Sequence, residues 1–193
     1  MEDSKNHKTI YDDDFEIIEE DNDFNYQKEL TAKLDNFNSD FDQNMLNEIV
    51  LWKVNRYAKF DKETLDLLNS IDRDSYELDE KLTMQILRAL LNTKGVQLPM
   101  ASTILRFRNP KVYQIIDQRV YRIINKNLTL KSNRTNINEL IDLYLKYLED
   151  LKIVCQVKGL NYKDADRTLY LADKRINKNI PLDNYGLKEV KNQ

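Results

Sequence analysis

Residues 90–126 read LLNTKGVQLPMASTILRFRNPKVYQIIDQRVYRIINK. Leu90 and Leu91 close a helical pattern, and Thr93-Lys94-Gly95-Val96-Gln97 has the composition of a tight turn. Pro99 suits the first turn of a second helix running to about Phe107, because proline lacks only a donor that is unpaired there anyway. Asn109-Pro110 then breaks the chain. A loop through Ile115-Ile116 brings Asp117 to the position of a helix N-cap, followed by Val120, Tyr121, Ile123 and Ile124.

The flanking sequence continues in the same period. Met45, Ile49 and Trp52 predict a helix reaching about Ala58, Asp61 can cap a short helix through Leu65 and Leu68, and Leu78, Leu82, Ile86 and Leu90 mark a helix over about 77–92. Downstream, Asn136 and Glu139 are spaced as a capping box for a long helix to Val157, stopped by Gly159. The last helix, about 161–177, is expected to turn Tyr162, Ala165, Leu169, Ala172 and Ile176 inward. Asp164 and Asp166 read as charges opposing its dipole. No alternating strand appears, and the expected fold is all-α: a compact helical array.

Composition narrows the chemistry. The 193 residues suit one domain with an extension, read as an acidic N-terminal segment over 1–42, a helical domain over 43–180 and a tail over 181–193. His7 is the sole histidine and Cys155 the sole cysteine. Histidine triads, intrachain disulfides, cysteine zinc sites and four-cysteine clusters are therefore excluded, and neither a metal nor a cofactor is expected. No apolar run approaches the roughly 20 residues that span a bilayer, so a monomeric intracellular protein without a membrane partner is expected. Residues 1–80 hold 9 Lys and Arg against 23 Asp and Glu, whereas residues 81–180 hold 19 against 8. A basic half of that kind fits a polyanion. It also fits simple neutralisation by the acidic half, or an acidic segment that shields the basic face.

The segment 90–126 resembles the helix-hairpin-helix DNA glycosylase superfamily, to which endonuclease III belongs. That hairpin reads approximately Leu-Pro-Gly-Val-Gly-x-Lys-x-Ala, and a Val-Asp-x-x-Val segment with the catalytic aspartate follows. Gly95-Val96, Ala101 and Ile116-Asp117-Gln118-Arg119-Val120 match it, with 22 residues from Gly95 to Asp117. The family's second hairpin glycine is Gln97 here, and its lyase lysine falls at Pro99, which has no amine. The iron–sulfur cysteines are absent.

The resemblance implies a monofunctional DNA N-glycosylase that flips a damaged or modified base and hydrolyses its glycosidic bond with Asp117. It implies phosphate contacts at Lys94, Gly95, Val96 and Gln97, with Arg106, Arg108, Lys111, Arg119 and Arg122 as further candidates. Trp52, Tyr57 and Tyr121 are candidates for an aromatic wall against the flipped base, with core packing as the competing role. Standing alone, Asp117 reads as a helix cap and Gly95 as an ordinary turn glycine. Arg106 and Arg108 also suit a solvated face, and Arg119 also suits a pair with a core carboxylate. A non-catalytic DNA-binding or protein-interaction module on the same fold is the alternative.

Overall fold

The structure is a computed structural model and describes residues 16, 18, 19, 26–54, 58–125, 130 and 136–182. Its regular elements are helices, and no strand occurs among the described residues. The chain divides into two units, Met1–Tyr57 and Ala58–Gln193. The division falls later than the expected boundary at residue 42, so the helix over 43–53 belongs with the N-terminal unit.

The first unit holds α1 (Lys28–Asp35) and α2 (Gln43–Lys53). Their shared side chains explain why α2 stays here: Leu30 and Met45 are buried, and the Trp52 indole N–H donates to Thr31 Oγ1 at 2.8 Å. The Tyr26 ring meets Trp52 edge-on at 5.2 Å, and its hydroxyl donates to the Trp52 carbonyl. The Asp42 carboxylate caps α2 by accepting from Met45 N at 2.8 Å.

The second unit comprises α3 (Lys62–Asn69), α4 (Glu80–Asn92), α5 (Leu98–Arg108), α6 (Gln118–Ile124), α7 (Ile137–Lys158) and α8 (Ala165–Ile176). A 3-10 turn over Tyr162–Asp164 leads into α8. Asp61, Asp79 and Asp117 cap α3, α4 and α6 through amides three residues on, and Asn136 caps α7 through Asn138 N. Each such cap contributes about 1 kcal/mol and fixes where its helix begins. Gly159 ends α7 at φ 63°, a left-handed value that a side chain would strain.

Helix α4 packs against α3, α5 and α7, while α6 packs against α7 and α8. The core is built from Ile86, Leu87 and Leu90 of α4, Leu98, Ala101 and Leu105 of α5, and Ile141, Tyr144, Leu148 and Leu151 of α7. Burying each leucine or isoleucine contributes about 1.5–3 kcal/mol, so these three helices form the rigid frame. On α8 the expected inward set is only partly met. Ala165 is buried, Leu169 packs against the core, and Ile176 is 62 % exposed. Asp166 and Asp173 are buried instead.

Candidate functional site

The hairpin forms where the sequence places it. Thr93 ends α4, and the Val96 amide closes the turn by donating to the Thr93 carbonyl at 3.1 Å. Gly95 adopts φ +85°, a conformation that glycine alone enters without steric cost. Val96 and Leu98 are buried and pin the turn to the core, whereas Lys94, Gly95 and Gln97 stay exposed. Gln97 stands at the N-cap of α5 with no side-chain cap, so no side chain competes for the amides of that first turn.

Beyond α5 the chain runs through an irregular segment, Val112–Ile116, that delivers Asp117. Because it has no strand neighbour, its polar backbone groups are satisfied by side chains from other elements. The Tyr162, Tyr144 and Tyr147 hydroxyls donate to the carbonyls of Val112, Gln114 and Ile115 at 3.0, 3.0 and 2.6 Å. The Asp166 carboxylate accepts from Ile115 N at 3.1 Å, and Ser102 Oγ accepts from Ile116 N at 3.2 Å. The Tyr113 hydroxyl meets Thr83 Oγ1 at 2.8 Å; since Thr83 already donates to the Asp79 carbonyl, Tyr113 is the donor. Burial pushes all four phenols to higher pKa, which keeps them protonated as donors.

Asp117 sits at the end of this clamped segment. Its Oδ1 accepts from Val120 N at 2.7 Å, and the side chain is half-buried. Burial raises its pKa above the usual 3.8, opposed by hydrogen bonds from the Val120 and Arg119 amides and by the Arg119 charge. Its basic neighbour Arg119 pairs with Asp173, and Asp117 makes no ion pair with another described residue.

The arginines expected at phosphates are turned inward. Arg106 is buried, with Nε 3.6 Å from Asp166 and Nη2 donating to the Lys163 carbonyl. Arg108 donates to the carbonyls of Asn69 and Ile71 at 2.6 and 3.0 Å, closing the C-terminus of α3. Arg119 and Arg122 converge on Asp173, at 3.1 Å through Arg119 Nη1 and 2.7 Å through Arg122 Nε. Arg122 also donates to the carbonyls of Ile180 and Pro181. The physical reason is common to three of them: a buried carboxylate on α8 needs a cation, and these arginines lie within reach. Lys111 pairs with Asp74 at 2.9 Å. Of the expected phosphate contacts, Lys94, Gly95 and Gln97 keep an exposed side.

The aromatic candidates have different surroundings. Trp52 is engaged with Tyr26 and Thr31 in the first unit, Tyr121 packs against the core of the second, and Tyr57 lies outside the described residues. Beside the hairpin, a cleft of about 480 Å³ is lined by Lys59, Asp61, Thr64, Asn92, Thr93 and Lys94. No group of three His, Cys, Asp or Glu able to hold a metal occurs among the described residues, and no described helix is long and apolar enough to cross a membrane.

Sequence reasoning missed Ser102, Tyr144, Tyr147, Tyr162, Asp166 and Asp173. Asp166 and Asp173 are seven residues apart and so share a helix face. That spacing was the available signal for a buried pair of carboxylates. No family model, no curated protein and no solved structure matches this chain.

Proposed function

We propose that this chain is a monofunctional DNA N-glycosylase, with Asp117 as the catalytic carboxylate. The observation that carries the reading is the placement of Asp117: a half-buried carboxylate, unpaired among the described residues, at the end of a segment clamped from α5, α7 and α8 and downstream of a glycine hairpin. Breaking the glycosidic bond sends the electron pair out with the base and leaves positive charge on the deoxyribose. A desolvated carboxylate held in place stabilises that state more than the neutral substrate. The same group orients the water whose oxygen bonds to C1′ and accepts the proton that water loses, while the departing base takes up a proton from solvent. Hairpin amides at Gly95 and Gln97, the uncapped first turn of α5 and Lys94 suit a phosphate. Pro99 in place of an amine favours hydrolysis without strand cleavage.

The second reading is a DNA-binding or protein-interaction module on the same fold without turnover. It is favoured by Gln97 in the hairpin and by the inward arginines. Duplexes carrying a panel of modified bases, incubated with the full chain and then treated with alkali, separate the two. Alkali-labile sites from the unchanged chain and none from Asp117→Asn support the glycosylase. Binding without an abasic site on any duplex supports the module.

A further inference from the structure

Helix α8 and the turn before it carry an unassigned charge pattern. Lys163, Arg167, Tyr170 and Lys174 are exposed and follow one another at intervals of four, three and four residues, which places them in one row on the outer face. The row is about 16 Å long at 1.5 Å per residue. Asp166 and Asp173, about a quarter-turn round the helix from the row, do not neutralise it, because they are buried against Arg106, Arg119 and Arg122. Asp164 is the exposed acid beside it.

Two aromatic rings lie among the cations. Phe107 of α5, 61 % exposed, has the Arg167 guanidinium 5.8 Å from its centroid. Tyr170 has the Arg119 guanidinium and the Lys174 ammonium each 5.7 Å from its centroid. Exposed rings among cations combine what holds a nucleic-acid strand, phosphate contacts and base stacking, with a base replacing the cation on the ring face it covers. A membrane surface is the poorer fit. A helix lying in a bilayer interface must offer it an apolar face; on α8, Ala165 and Leu169 pack against the core, and the exposed Leu171 and Ile176 are five residues apart and share no face.

We infer that the outer face of α8, with Phe107 beside it, is a docking surface for a DNA strand, its phosphates along Lys163, Arg167 and Lys174 and an unpaired base on Tyr170. The inference rests on DNA being the partner of this chain, and not on Asp117 being catalytic. It supplies the exposed cations that the inward arginines do not.

The test is fluorescence anisotropy of the full chain with an undamaged, labelled single-stranded oligonucleotide across a salt series, the matching duplex in parallel. Lys163→Gln/Arg167→Gln/Lys174→Gln should weaken single-strand binding by about tenfold or more and flatten the log–log salt slope by about 2, since each phosphate contact contributes about 0.7. Tyr170→Leu should weaken it by about fivefold or more at unchanged slope, because stacking carries no counterion release. A matched neutralisation elsewhere, Lys62→Gln/Lys81→Gln/Lys146→Gln, should change little, and thermal melts of every variant establish that each is folded. Equal losses in the two triple variants would overturn the proposal. So would polyglutamate competing as well as the oligonucleotide does, or anionic vesicles binding where DNA does not. Excision persisting with unchanged affinity in the α8 triple variant would remove this surface and leave the glycosylase standing. Affinity lost as expected, with no base ever excised, would do the reverse.

Discussion

The Tyr147 hydroxyl donates to the Ile115 carbonyl at 2.6 Å, two residues before Asp117. Through it a residue in the middle of α7, rooted in the core frame, fixes the backbone that presents the carboxylate. Tyr147→Phe keeps the ring and removes the donor, leaving a buried carbonyl without that partner at a cost of about 1–2 kcal/mol. The excision rate should fall by about tenfold at unchanged DNA affinity, because small misplacements of a reacting group are costly. Urea unfolding and single-turnover rates measure the two effects, and an unchanged rate would mean that the segment does not position Asp117.

Asp117 should cost the fold stability at neutral pH. Its pKa in the folded chain is raised above 3.8 chiefly by burial. As pH rises through the window between the unfolded and folded values, the unfolded chain releases its proton first and stability falls. Asparagine caps as well as aspartate and does not titrate. Asp117→Asn should therefore match the unchanged chain in melting temperature below this window and exceed it above, whereas Asp117→Ala should lose about 1 kcal/mol with the cap. An Asn variant less stable at pH 7 would contradict this.

Asp173 acts in the opposite sense. Burial pushes its pKa up, but hydrogen bonds from Arg122, Asn177 and Arg119 outweigh that and hold it below the usual carboxylate value. Its contribution is full above pH about 4 and is lost as pH falls through the lowered value. Asp173→Ala strands two guanidinium groups that are 24 % and 15 % exposed. Their partial access to water places the loss at the low end for a broken buried pair, about 3 kcal/mol. Urea titration at pH 7 measures it; a loss under about 1 kcal/mol would show the cluster to be solvated.

At the hairpin, Gly95→Ala tests conformation alone. A Cβ there meets nothing within 4 Å, so the penalty is that of φ +85° itself, about 1–2 kcal/mol. Gly95→Asn should cost less, since asparagine tolerates the left-handed region. Equal losses for both in thermal melts would point to a steric contact.

The helices were legible because their signals are local. Asp61, Asp117 and Asn136 each begin the helix whose first turn they cap, and Gly95 and Gly159 take the left-handed values their positions require. The site was legible only along the chain. That Tyr144, Tyr147, Tyr162 and Asp166 converge on Val112–Ile116 depends on how α7 and α8 pack, and no spacing within the sequence encodes it. Arg106 and Arg122 misled for the same reason, since their partners lie on a helix about fifty residues away, whereas Arg119 took the alternative role, a pair with a core carboxylate, Asp173. Likewise α2 followed its period correctly but belongs with α1, because Trp52 finds its partners at Tyr26 and Thr31.

The central claim is that the carboxylate at residue 117 breaks a glycosidic bond. Its most direct measurement is chromatographic detection of free base released from a modified duplex under single-turnover conditions, by the unchanged chain and by Asp117→Asn at matched DNA occupancy. The expected result is base release by the unchanged chain and none by the variant, both binding alike, with a rate that falls as pH drops through the raised pKa of Asp117. Release at the same rate by the variant, or binding by both chains with no base released from any duplex tested, would contradict it.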